Sequence, residues 1–207
     1  MLKIKSCILA FDDGMHEKAD LYHSRPHDPH SIPSLKKTSL IGVITKGLQL
    51  LHVTRSCIEI DGRDATDCIL EVYNHNPHHH EIQAILIDSP TMGGFNIPDV
   101  FAIHQRTNLP VILIPSHPPT QSIVAVYRSV FPDREHEIQI LTKLPPISSI
   151  EVRVNCTPEI TKLLYFHAIG VEFSDIVEFL QYTTHFSAIP EPLRLAHLIA
   201  SQLTIKK

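Results

Sequence analysis

Cys7-Ile8-Leu9-Ala10-Phe11-Asp12-Asp13-Gly14 is the stretch whose reading decides the fold. Residues 3–11 become wholly apolar just before the two acids, the pattern of a strand that enters the interior and stops at a turn. Asp12 and Asp13 therefore stand at a strand end. If the strand persists through them, their side chains point to opposite faces, so Asp13 could be a second ligand only from the face away from Asp12.

Moving outward, residues 15–39 contain four histidines, three prolines and four basic residues with no sustained apolar period. They are expected to form a long, mobile loop, and Lys18, Arg25, Lys36 and Lys37 suit contact with a phosphate backbone. Residues 40–46, Gly47 and residues 49–60 predict a hairpin that completes an antiparallel trio with the first strand, closed by Asp61-Gly62. From Asp64 to about Tyr73, Ala65, Cys68, Ile69 and Val72 recur at helical spacing, with Asp64 or Thr66 available as cap.

Residues 83–87 predict a buried strand ending at Asp88, residues 96–107 a helix, residues 110–114 a second buried strand ending in Pro115-Ser116-His117, and residues 121–130 a helix. That alternation implies right-handed crossovers and a parallel portion of the sheet. Residues 137–143 and 150–154 are expected to form a further extended pair. Everything from Pro158 onward is expected to be helical, the last helix opening at Pro190-Glu191-Pro192, where a first-turn proline is harmless. The expected architecture is α/β: one domain over residues 1–207, with three antiparallel strands and then parallel strands in a mixed sheet flanked by helices. The order matches a ribonuclease H-like core.

The 207 residues are 43% hydrophobic and 19% charged, enough to bury a core unaided. No run approaches the roughly 18–20 apolar residues of a membrane-spanning helix, so a soluble, cytoplasmic chain with no membrane partner is expected. The four cysteines form no C-x-x-C pair and are expected to be buried free thiols. A net charge of −4 counts against a nucleic-acid binder. Fifteen histidines and carboxylates that carry their charge for metal ions soften that objection without removing it. The sequence carries no signal for oligomeric state.

Acids at strand ends are the main chemical signal: Asp12, Asp13, Asp61, Asp64 and Asp88. In open α/β sheets ligands gather beyond the carboxyl ends of parallel strands, and carboxylates converging there can hold Mg²⁺ for phosphodiester chemistry. Aspartates also cap helices and make turns, so spacing alone leaves both roles open. Gly93, Gly94 and Asn96 lie in a turn that could offer amides to a phosphate or base next to Asp88, or serve only as a turn. Asp99 is expected to be a first-turn acid of the next helix. His78-His79-His80 reads as a solvated loop before a transition-metal site. Arg194 lies one turn before His197, suiting either a salt bridge to a sheet-end acid or a phosphate contact.

The run Ile189-Pro190-Glu191-Pro192-Leu193-Arg194-Leu195-Ala196-His197 resembles the closing motif of endonuclease V. Cys7-Ile8-Leu9-Ala10-Phe11-Asp12 resembles that family's first strand, which ends in a metal-binding aspartate. Ala84-Ile85-Leu86-Ile87-Asp88 and Leu109-Pro110-Val111-Ile112 are similar to the two strands that follow. A closer resemblance is to the archaeal endonuclease dU family, carried by Asp12-Asp13-Gly14, Ile60-Asp61-Gly62-Arg63-Asp64-Ala65-Thr66, Gly94-Phe95-Asn96-Ile97-Pro98-Asp99 and the Pro-Glu-Pro-Leu-Arg-Leu-Ala-His run.

This resemblance implies an endonuclease that uses Mg²⁺ or Mn²⁺ to hydrolyse nucleic acid, DNA in the first instance, near a deaminated base. Deoxyuridine is the base that the closer family suggests, and nicking would leave a 3′-hydroxyl and a 5′-phosphate. Carried over by position, Asp12 is the first metal ligand and Asp88 the central one. Asp64 takes the place of the endonuclease V glutamate, with Asp61 competing, and His197 completes the metal shell or protonates the leaving group. Gly93, Gly94, Asn96, Ser116 and Arg194 are the expected substrate-binding residues.

Two departures matter. The endonuclease V lysine falls near Ser116, with His117 a possible substitute. The Pro-Tyr-Ile-Pro wedge is replaced by Arg55-Ser56-Cys57-Ile58, so inosine recognition is not implied. The other readings are the same site acting on inosine-containing or structured RNA, and a catalytically silent ribonuclease H-like binding module, which the acidic charge and Ser116 favour.

Overall fold

A computed structural model describes residues 6–14, 36–115, 122–154, 156–157 and 161–203. The elements run β1 (Cys7–Asp13), β2 (Lys37–Lys46), β3 (Gln49–Glu59), α1 (Ala65–Asn74), β4 (Ile82–Ile87), α2 (Val100–Thr107), β5 (Val111–Leu113), α3 (Ile123–Val130), α4 (Glu135–Lys143), β6 (Ser148–Arg153), β7 (Thr161–Ile169), α5 (Phe173–Thr183) and α6 (Glu191–Ala200). The strands form one sheet in the order β3-β2-β1-β4-β5-β7-β6. β1, β2 and β3 are antiparallel. β1, β4 and β5 run parallel, and β7 returns antiparallel to both β5 and β6.

Side chains of a strand alternate between faces, and that alternation sorts the core. Leu9, Phe11, Ile85 and Ile87 pack with Ile69, Leu70 and Val72 of α1 and with Val100 and Ile103 of α2. Ile8, Ala10, Ala84 and Leu86 pack on the other face with Ile176, Phe179 and Leu180 of α5 and Leu193 of α6. Asp12 and Asp88 are the next residues in phase on that second face. α6 closes the face over β1 and β2, where Ala196 and Ala200 lie against Ile41 and Val43. Small side chains there let the helix axis come close to the sheet. His197, next to Ala196, is thereby carried to the end of β1.

The antiparallel trio, the parallel strands and the closing helix fall where the sequence puts them. Other expectations are corrected. Residues 37–39 belong to β2, stretching the hairpin back into the expected loop, while residues 15–35 lie outside the described residues. Residues 137–143 are helical within α4: Ile138 and Ile140 imitate a strand's alternation, but Ile138 and Leu141, one turn apart, pack on Tyr127 of α3. β6 pairs instead with β7, in a stretch expected to be helical, where Leu164 and Phe166 alternate into the core. α2 starts at Val100, because Asp99 caps it, its Oδ1 accepting from the amides of Phe101 at 3.1 Å and Ala102 at 2.9 Å. All four cysteines are free, yet only Cys7 is buried and Cys156 is exposed. No helix among the described residues is long and apolar enough to cross a membrane.

Ala196 is fully buried under α6. Ala196→Leu should therefore cost roughly 1–3 kcal/mol in a denaturant titration and lift the helix from the sheet. Unchanged stability would mean that α6 is not closely seated.

Candidate functional site

β1 and β4 are parallel neighbours, with Phe11 opposite Ile87, and the Asp88 amide donates to the Phe11 carbonyl at 3.2 Å. The two strands thus end together, presenting Asp12 and Asp88 side by side. Both Asp12 oxygens are engaged: Oδ1 accepts from the Asp13 amide at 2.8 Å and Oδ2 lies 2.8 Å from His197 Nδ1. A carboxylate only accepts, so Nδ1 carries the proton in this contact and Nε2 faces outward. The Asp12 side chain is 6% exposed and that of His197 is 61% exposed, so the imidazole bridges a buried acid and open solvent.

Burial raises the Asp12 carboxyl above the usual carboxylate range, while the bonds from His197 and Asp13 pull it back. Asp88 is pushed further, to about 7, first by burial and then by the negative charge of Asp12. Two carboxylates sharing a dry sheet end cannot both ionise cheaply.

Asp64 is placed differently. It opens α1, on the opposite face of the sheet from α6, and caps no helix amide through its side chain. Its oxygens accept from the Glu59 amide at 3.1 and 3.2 Å and from Asn96 Nδ2 at 2.6 Å. Asn96 is fully buried: Nδ2 also donates to the Glu59 carbonyl at 2.9 Å, and Oδ1 accepts from the Ala65 amide at 3.1 Å. Its polar atoms hold Asp64 and the start of α1. Asp61 adds to the same clasp, taking the Phe95 amide at 2.9 Å and adopting a left-handed φ of 56°. Gly93 and Gly94, with φ of 50° and 84°, form the turn so clasped. A side chain on Gly93 would press within 3.2 Å of Ile58, which makes glycine the residue for that turn.

Arg194 turns to its own helix, not to a sheet-end acid: Nε and Nη2 each donate to the Glu191 carboxylate at 2.7 Å. Glu191, buried at 3% exposure, went unnoticed as an anchor, although its i, i+3 spacing to Arg194 was visible in the sequence. Ser116 and His117 lie outside the described residues.

The site thus brings Asp12, Asp88 and His197 together and holds Asp64 apart. Among the described residues no group of three His, Cys, Asp or Glu is placed to hold an ion. Mg²⁺ is commonly bound by one or two carboxylates with water or substrate phosphate filling the remaining positions, and the Asp12–Asp88 pair has that chemistry. A cation there would offset both the burial and the Asp12 charge that raise Asp88.

A proton that folded Asp88 keeps up to about pH 7 is released near pH 4 in the unfolded chain. The folded state binds the extra proton, so stability falls as pH rises between those values and the loss is complete above about 7. Asp88→Asn should accordingly be more stable than the parent at pH 8 in chelator, by up to about 4 kcal/mol, with the advantage fading toward pH 4. Thermal melts across that range that show no pH-dependent difference would mean that Asp88 is not destabilised by its surroundings.

A family model described as Endonuclease dU matches residues 5–204. A UPF0215 protein of Thermococcus sibiricus is 38% identical over 167 residues, covering 80% of this chain and 80% of its own. Another, from Thermococcus kodakarensis, is 34% identical over 197 residues, covering 94% and 90%. Among solved structures, a protein of unknown function from Archaeoglobus fulgidus superposes with a TM-score of 0.73 at 21% identity, over 96% of this chain and 98% of that one. Ciona intestinalis endonuclease V, in complex with DNA containing an inosine followed by a ribo-adenosine, superposes with a TM-score of 0.53 at 10% identity, over 94% and 84%. At such identities the superpositions show the fold, a ribonuclease H-like one shared with endonuclease V nucleases. With its mixed sheet, its paired strand-end aspartates and a family match over nearly its whole length, the chain belongs to the endonuclease dU family.

Proposed function

We propose that the protein is a divalent-metal-dependent endonuclease that hydrolyses DNA near a deaminated base, deoxyuridine being the base that its family name indicates. The observation that carries this reading is the 2.8 Å contact between Asp12 and His197 beside Asp88 at adjoining strand ends. Asp12 and Asp88 would hold Mg²⁺ or Mn²⁺, which when bound supplies an activated water and stabilises charge gathering on the phosphate. Asp12 also fixes the His197 ring, leaving Nε2 at the open side, where the doubly protonated ring can give its Nε2 proton to the departing 3′-oxygen and keep the one on Nδ1. The Asn96–Asp64 clasp would set the Gly93-Gly94 turn at the substrate's edge, and Asp64 would support that turn or turn inward as a further ligand.

The second reading, a binding module without catalysis, draws on the engaged Asp64 carboxylate and the net charge of −4.

Asp12→Asn should lower Mg²⁺- or Mn²⁺-supported nicking of deoxyuridine-containing duplex by at least about 10²-fold, with the circular dichroism of the fold unchanged. His197→Ala should weaken Mn²⁺-supported nicking while leaving melting in metal-free buffer nearly unchanged. Full activity in Asp12→Asn would remove the site assignment, and tight oligonucleotide binding with no cleavage by the parent would favour the binding module.

A further inference from the structure

The connection between α5 and α6 carries an aromatic ring that the core does not use. Phe186 is 53% exposed. Single exposed apolar side chains are ordinary, so exposure alone says little. The company of this ring is what sets it apart. The His185 ring meets it edge-on, with centroids 4.6 Å apart and planes at 84°. The Arg194 guanidinium carbon lies 5.5 Å from its centroid.

That guanidinium is itself held, by its two 2.7 Å bonds to the buried Glu191. A cation beside a ring face both fixes the ring and favours an electron-rich partner on its free side. Arg194 stands one turn before His197 on α6, and His197 touches Asp12. Four residues in contact or one helical turn apart therefore connect the exposed ring to the carboxylate pair. The other strongly exposed phenylalanine among the described residues, Phe173, is instead stacked at 26° on Phe166.

We propose that Phe186, backed by Arg194, is a stacking platform for an unpaired nucleobase of the strand bound at Asp12, Asp88 and His197. It rests on the nucleic-acid reading above and extends it to a recognition residue. A phenyl face accepts any base, and it reaches one only when that base is single-stranded or turned out of its duplex. The platform thus selects for strand conformation, not for sequence.

The chain contains no tryptophan, so Phe186→Trp installs a single reporter. The probe is a labelled single-stranded oligonucleotide containing deoxyuridine, with phosphorothioate linkages to slow cleavage, in Mg²⁺. Anisotropy should show parent-like affinity for Phe186→Trp, with Trp emission quenched at the same midpoint. Phe186→Ala should bind roughly 5- to 150-fold more weakly, with the salt dependence of binding and the melting temperature unchanged, because a stacking contact and no phosphate contact is lost. Parent-like affinity in Phe186→Ala, or binding that leaves the Trp emission untouched, would overturn the platform. If Asp12→Asn still abolished nicking, the nuclease reading would survive that result. A parent protein that bound no oligonucleotide would overturn both.

Discussion

The repulsion between Asp12 and Asp88 is the constraint around which the sheet end is organised. The alternation that buries Ile8 and Ala10 on β1, and Ala84 and Leu86 on β4, also delivers the two acids to one face. Moving either carboxylate out of register would turn a whole strand's apolar set toward water. Hydrophobic burial therefore holds the two carboxyls together at a dry sheet end, and that burial first, with the charge of Asp12 second, raises Asp88 to about 7. Strain of this kind is tolerated where something binds. α6 supplies the partial remedy, since its alanines seat it closely enough for His197 to bond Asp12.

The other acids at the same end are satisfied where that pair is frustrated. Asp61 and Asp64 spend their oxygens on amides of the turn after β4 and of β3 itself. Asn96 joins the two segments from inside, and Arg134 donates to the Gly62 carbonyl at 3.3 Å, tying the α3–α4 unit to the turn that follows β3. Buried polar groups that are fully paired rigidify their surroundings. The loop with Gly93 and Gly94 is thus a fixed rim beside the Asp12–Asp88 pair.

Much of this was legible in the sequence because hydrophobic period records which face a strand or helix buries. β1, the hairpin, β4, β5 and α6 all follow from it, whereas the meeting of His197 with Asp12 follows only from the resemblance of the closing run. α4 was misread because Ile138 and Ile140 satisfy a period of two as well as one of 3.6, and only the presence of Tyr127 decides between them. β7 was missed because Leu163-Leu164-Tyr165-Phe166 is apolar without interruption, and its partner β6 was assigned to the wrong segment. The use of Asp64 could not be read locally, since its strongest partner, Asn96, lies 32 positions away.

The acidity of the chain acquires a physical meaning once its ion pairs are placed. Arg63 pairs with Glu137 at 2.9 Å, Lys46 with Glu81 at 3.5 Å, Arg106 with Asp67 at 3.6 Å and Arg194 with Glu191 at 2.7 Å. The two pairs exposed on both sides, Lys46–Glu81 and Arg106–Asp67, add little stability, but all four mask cations that would otherwise attract a phosphate backbone. With these four cations masked and a net charge of −4, a nucleic acid meeting them would release fewer counterions, and long-range attraction would contribute less to its binding. Affinity would then have to come from interactions that act only at contact, namely cations shared between carboxylate and phosphate, and stacked bases. On the proposed reading, such a protein would hold a nucleic acid only where a base and a phosphodiester are presented together.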